Sequence, residues 1–180
     1  KYISPLCHCG KEVAFGDDRN ISDIEDEDRF KWCSDEATIR GANQRIITYS
    51  LYGDLQNSST FRRYYSVLRN ISITAAKVYP GWTIRIYHNA LQTETEAFNS
   101  LCDIYCKFPH VDLCSVPDLI DRIGVNNTTP IDPQLLKGLN RKMFRYLVMM
   151  DPDVDYFISR DVDSIIFRRE VESNNIDPIQ

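Results

Sequence analysis

Tyr156-Phe157-Ile158-Ser159-Arg160-Asp161-Val162-Asp163-Ser164 decides how this chain is read. Its apolar opening predicts a short buried strand, and two carboxylates one residue apart follow directly. Along a strand, side chains i and i+2 point to the same side. Past the strand end the backbone is freer, and Asp161 and Asp163 can converge on one point. Two hard oxygen ligands there suit Mg²⁺ or Mn²⁺. A cation at the carboxyl end of a strand in an α/β sheet is well placed to hold a diphosphate. Position gives the pattern its meaning, because three other Asp-x-Asp pairs occur. Asp26/Asp28 lies in an acidic, loop-like segment. Asp151/Asp153 and Asp153/Asp155 overlap in a turn that imitates the opening of a calcium-binding loop. Tyr156 stands where that loop needs glycine, and Val162 where it needs its twelfth-position acid, which excludes it.

Working outward, Leu135, Leu136, Leu139, Met143, Tyr146, Leu147 and Met150 form an apolar stripe that predicts a helix leading into the Asp-Pro turn. Lys137, Arg141 and Arg145 fall on the opposite face, either as a solvated basic face or as the border of a cleft near the acid pair. Arg160, beside the pair, is suited to a phosphate or to one of the acids. Further back, 46–52 is β-rich and stops at the turn signal Gly53-Asp54. Its end, Thr48-Tyr49-Ser50-Leu51-Tyr52, is where an open α/β sheet would hold a nucleotide base, with Tyr49 and Tyr52 either stacking on it or packing in the core. Residues 61–79 show helical spacing and end at Pro80-Gly81, and 82–88 predicts a second strand. Strand, helix and strand with short joints make a βαβ unit with parallel pairing. A second helix is expected over 93–106, a third strand over 111–116, and mostly loop over 117–133. His88, at a strand end, reads as a hydrogen-bonded structural histidine. The alternation predicts an α/β fold, a three-layer α/β/α sandwich with a mostly parallel sheet.

At 180 residues, 43% hydrophobic and 26% charged, the chain suffices for one domain with a real core. The expected division is a peripheral stalk or loop over 1–43 and an α/β domain over 44–180. A net charge of −5 advertises no nucleic-acid face. No apolar run reaches bilayer-spanning length, so membrane attachment would run through an anchor outside this chain. A start at Lys1 suggests a fragment or a processed piece. Six cysteines, Cys7, Cys9, Cys33, Cys102, Cys106 and Cys114, favour disulfides over zinc. Cys102 and Cys106 sit one helical turn apart and would pair elsewhere, with Cys114 a candidate partner. N-glycosylation triplets begin at Asn20, Asn57, Asn70, Asn126 and Asn127. Together they point to the secretory lumen (Golgi or endoplasmic reticulum) or the extracellular space. No Gly-rich phosphate loop and no Gly-x-Ser-x-Gly elbow is present, so phosphate binding would run through metal and side chains.

Leu139-Asn140-Arg141-Lys142-Met143-Phe144-Arg145-Tyr146-Leu147, Asp151-Pro152, Val154-Asp155 and Ser159-Arg160-Asp161-Val162-Asp163-Ser164 resemble part of a GT-A-type nucleotide-sugar glycosyltransferase of the lumenal animal kind. Tyr79-Pro80-Gly81-Trp82 before Ile84-Arg85-Ile86-Tyr87-His88 resembles the same group, and the likeness covers roughly 45–172. The resemblance implies that the Asp-x-Asp motif ends a central strand. Asp163 would ligate Mn²⁺ (or Mg²⁺) and Asp161 would contact the ribose or a metal-bound water. The donor would be a nucleotide sugar such as a UDP-sugar, and the acceptor a glycan, protein or lipid. Tyr49, Ser50, Tyr52, Arg141, Arg145, Arg160 and Asp161 are the expected donor-binding residues. Enzymes of this fold continue well past the motif, whereas 17 residues follow Asp163 here. A domain incomplete at its C-terminus, holding the donor half, is therefore expected, and neither Glu170 nor Glu172 is assigned as a base. Two other readings fit the same residues. One is a non-catalytic secreted binding or structural domain of this fold. The other is a haloacid-dehalogenase-like phosphatase with Asp161 as nucleophile and Asp163 as general acid/base.

Overall fold

Period-two alternation sorts the strand residues onto two faces, and the fold is built on that sorting. The computed structural model describes residues 1–26, 29–53, 58–93, 95–125, 132–167 and 170. Strands β1 (Tyr2–Ile3) and β2 (Glu12–Val13) pair as a small antiparallel hairpin. Short helices α1 (Ser22–Glu25) and α2 (Asp35–Ile39) follow. The main sheet holds β3 (Gln44–Leu51), β4 (Thr83–His88), β5 (Val111–Ser115) and β6 (Val154–Ser159), all parallel, in the order β5-β4-β3-β6. Helices α3 (Ser58–Val78), α4 (Thr95–Lys107), α5 (Val116–Val125) and α6 (Pro133–Gly138) and a 3₁₀ helix over Arg141–Met150 connect them.

Ile47, Tyr49 and Leu51 of β3 join Ile84 and Ile86 of β4 in one core against Leu68, Ile71 and Ala75 of α3 and Leu101 and Ile104 of α4. Ile46, Tyr87 and Cys114 face the other way, onto Leu119 and Ile123 of α5 and Phe144, Leu147 and Val148 of the 3₁₀ helix. Helices thus flank a parallel sheet, as the alternation predicts. The turn Tyr79-Pro80-Gly81 that ends α3 needs Gly81, whose φ is 80°.

The structure departs from the sequence reading in four places. Residues 117–125, expected mostly as loop, belong to α5, whose buried Leu119 and Ile123 sit at helical spacing. The helix expected from Leu135 to Met150 is broken at Leu139 and Asn140, whose ψ values of 140° and 126° are extended. The chain restarts there as a 3₁₀ helix, with Asn140 capping the Lys142 N–H at 3.1 Å. The acid-bearing strand, expected to be buried and, by resemblance, central, is the edge strand β6 among the described residues, and its Tyr156 is 60% exposed. Finally, Cys114 is not the partner of Cys102 or Cys106. It bonds Cys33, while Cys7 bonds Cys102 and Cys9 bonds Cys106. Alternation explains this, since Cys114 faces the layer opposite α4.

Residues 1–43, expected at the periphery, are fastened to the sheet layers. All three disulfides cross from this segment to α4 or β5. Glu36, Ala37, Thr38 and Ile39 are buried, and Arg40 grips the fully buried Asp112 through Nε and Nη2, each at 2.9 Å. Burial favours the neutral acid, but the Arg40 charge outweighs it and holds the Asp112 carboxyl below its usual range. Disulfides of this number fit an oxidising compartment. Among the described residues no helix is long and apolar enough to cross a membrane. Of the glycosylation triplets, Asn20 and Asn70 are exposed, although Ser72 of the second is buried and donates to the Leu68 carbonyl. Asn57, Asn126 and Asn127 lie outside the described residues.

Candidate functional site

Chain order within the sheet marks one crevice before any side chain is considered. From β3 the chain moves outward to β4 and β5, then returns to the opposite side of β3 to form β6. The carboxyl ends of β3 and β6 therefore flank a topological switch point, where connections leave in opposite directions and a crevice opens. A cavity of about 280 Å³ lies there, lined by Ser50, Leu51, Tyr52, Tyr64, Lys142, Arg145 and Asp161 to Asp163.

The acid pair reaches this cavity through a local polar–apolar–polar pattern. The Arg160 N–H continues the ladder by donating to the Thr48 carbonyl at 3.0 Å. A turn follows, closed by the Ser164 N–H on the Asp161 carbonyl at 2.9 Å. Val162, 8% exposed, is pulled into the core beside Ile166, while its two neighbours remain exposed. Burying one valine stabilises the loop by about 1.5 kcal/mol or more. It also fixes which way the flanking carboxylates look.

The 3₁₀ helix is bolted across the end of β3. The Arg145 N–H donates to Ser50 Oγ at 2.7 Å, Ser50 Oγ donates to the Lys142 carbonyl at 3.3 Å, and Thr48 Oγ1 donates to the Arg145 carbonyl at 2.8 Å. With its backbone so held, Arg145 extends its guanidinium to Asp161 Oδ1 in an ion pair. The Arg145 guanidinium also lies 5.3 Å from the Tyr146 ring centre. Burial works against its charge, but Asp161 and Tyr146 together more than offset this and raise the Arg145 pKa.

Of the sequence-predicted residues, the cavity gathers Ser50, Tyr52, Arg145, Asp161 and Asp163. Tyr49, offered as a base-stacking residue or a core residue, is the latter. It is fully buried between sheet and helices, its hydroxyl has no partner among the described residues, and burial pushes its pKa up. Arg160 turns away from the cavity and closes the following loop, donating to Glu170 at 2.7 Å and to the Ile165 carbonyl at 3.0 Å. Glu170 also accepts from the Phe167 N–H at 2.8 Å and from the Tyr79 hydroxyl, so it serves as a structural anchor. Arg141 and Lys137 are exposed and do not line the cavity. Glu172 lies outside the described residues.

Sequence reasoning missed Lys142 and Tyr64. Helical spacing of 3.6 groups Arg141 with Arg145, whereas in a 3₁₀ helix residues i and i+3 eclipse, so Lys142 shares a face with Arg145. Tyr64 comes from α3, and only the packing of that helix beside β3 brings it to the rim. Among the described residues no group of three or more His, Cys, Asp or Glu side chains could cage a metal. Two carboxylates nevertheless fit the way Mg²⁺ or Mn²⁺ binds beside phosphate, with one or two protein oxygens and the rest from water and substrate. No protein-family model, curated protein or solved structure matches the chain.

Proposed function

We propose that this chain is the donor-binding part of a metal-dependent glycosyltransferase of GT-A type, working in the secretory lumen on a nucleoside-diphosphate sugar, a UDP-sugar by preference. One observation carries the reading: both acids of the post-strand pair open into a single cavity at the topological switch point, alongside Arg145 and Lys142. Asp161 and Asp163 are the residues that would hold Mn²⁺ or Mg²⁺. Such an ion acts as Lewis acid and template for a departing diphosphate. Lys142 and Arg145 supply two further positive charges where that charge develops, in a partly desolvated site. Tyr52 and Tyr64 offer flat, half-buried rings at the rim for a base. The acceptor is to be sought among glycans, proteins and lipids.

Calorimetry with UDP, with and without Mn²⁺, tests this. UDP should bind only in the presence of metal, and Asp163→Ala should weaken that binding by tenfold or more, the loss of one charged ligand being worth about 1.5–3 kcal/mol. Metal-independent UDP binding, or an Asp163→Ala variant that binds as well as the parent, refutes the reading. Metal-dependent binding with no transfer or hydrolysis of any UDP-sugar assigns the non-catalytic version of the fold. A phosphoryl group trapped on Asp161 from a phosphate ester would instead assign a phosphatase.

A further inference from the structure

A second and larger cavity, of about 530 Å³, opens at the carboxyl ends of β4 and β5. Its volume is that of a small-molecule site. Cys7 and Cys33 stand in its wall, so two of the three disulfides stiffen it and little ordering is left for a ligand to impose. Leu91 and Phe98 give it an apolar side, and Ser115, His88, Asp118 and Arg122 a polar one.

Two of those polar groups are held by the fold itself. His88 is 3% exposed and its ring interacts with the Ala90 backbone. Arg122 is anchored through Nη2, which donates to the Cys33 carbonyl at 2.8 Å, while its buried Nε has no partner. Burial keeps the His88 ring neutral, so it adds no charge to the cavity wall. Asp118 adds an exposed acceptor, Arg122 a donor, and the Ser115 hydroxyl both.

This pattern selects a ligand class. Three acidic residues, Asp35, Glu36 and Asp118, line the same cavity against one arginine, Arg122, which disfavours an anion such as phosphate. Interleaved donors and acceptors around a half-apolar chamber match a molecule whose polar groups each donate and accept, and whose C–H face lies on an aromatic ring. We propose that this cavity binds a neutral sugar residue. The assignment does not rest on the nucleotide reading, since it uses neither Asp161 nor Asp163. Both cavities do open at the same end of the sheet, on neighbouring strands.

Saturation-transfer NMR on the oxidised chain, with galactose, N-acetylglucosamine, lactose and cellobiose at millimolar concentration, tests it. At least one sugar should receive saturation and shift the Phe98 ring resonances without metal or nucleotide. Asp118→Asn, at an exposed position, should weaken that sugar by about tenfold, the worth of one charge-assisted hydrogen bond. Asp163→Ala should leave it unchanged, so sugar binding can stand even if UDP binding fails. The proposal falls if none of the four sugars binds. It also falls if binding survives both Asp118→Asn and Phe98→Ala in folded variants, or if Asp163→Ala alone removes it.

Discussion

Replacing Arg145 by methionine should change two affinities in opposite directions. The Arg145 guanidinium is paired with Asp161, whose side chain is 60% exposed, while that of Arg145 is 16% exposed. Two unit charges about 4 Å apart attract by about 4 kcal/mol at an effective dielectric near 20. The exposed carboxylate is screened, however, and measured pairs of this kind contribute about 1 kcal/mol or less. A cation entering at Asp161 must displace this contact. Arg145→Met removes the competitor, so Mn²⁺ alone should bind about fivefold tighter, the equivalent of 1 kcal/mol. The Mn²⁺–UDP complex should bind about tenfold weaker or worse, because a charge-assisted contact to phosphate, worth about 1.5–3 kcal/mol, is lost. Water-proton relaxation reports Mn²⁺ occupancy directly, and calorimetry reports UDP at saturating metal. Arg145→Lys should fall between parent and methionine in both titrations. If both affinities fall together, or neither moves, then Arg145 does not alternate between acid and phosphate, and the reasoning fails.

Arg85 is fully buried in β4, bonded to Asp151 at 2.5 Å and to the Gln44 side chain at 2.7 Å, and so ties the Asp-Pro turn to the sheet. Arg85→Ala, which strands the Asp151 charge, should cost about 3–5 kcal/mol in urea unfolding, and Arg85→Met with Asp151→Leu should recover much of it. A loss below about 1 kcal/mol for Arg85→Ala would mean that water reaches the pair. Burial lowers the His88 pKa from 6.5 to about 4, although Asp118 and a hydrogen bond to the Ala90 backbone oppose the shift. The unfolded chain therefore binds a proton that the native state refuses between those values. Stability contributed by neutral His88 is present above pH 6.5 and lost as pH falls to 4, by about 3 kcal/mol. A His88→Gln variant should be destabilised at neutral pH by an amount that shrinks by that much at pH 4. A pH-independent difference would refute it. Cys7–Cys102 and Cys9–Cys106 close nearly the same loop, with separations of 95 and 97 residues. Removing either pair as serines should cost about 2 kcal/mol, but removing both should cost about 6 kcal/mol by the chain-entropy relation, the Cys33–Cys114 bridge already shortening the freed loop. Equal and additive losses in thermal or urea unfolding would contradict the shared-loop geometry.

What the chain states in its own order is periodicity. The β-rich runs at 46–52 and 82–88, helical spacing over 61–79, and the punctuation at Pro80-Gly81 sufficed for a parallel sheet covered by helices. The apolar run before Asp161, and the two acids one residue apart after it, sufficed to mark the loop at the end of β6. These are signals a segment carries alone, because they arise from backbone geometry and the burial of its own side chains. Tertiary structure decided the rest. It placed Tyr49 in the core and Tyr52 at the rim, a difference of face and depth along one strand. It chose 3₁₀ over α geometry after Asn140, which substitutes Lys142 for Arg141 beside Arg145. It sent Arg160 to Glu170, put β6 at the sheet edge among the described residues, and matched Cys114 with Cys33. Each of these depends on which distant element arrives to compete for a side chain. Local pattern fixes how a segment folds and which residues it can bury. Only the assembled layers determine what stands opposite them.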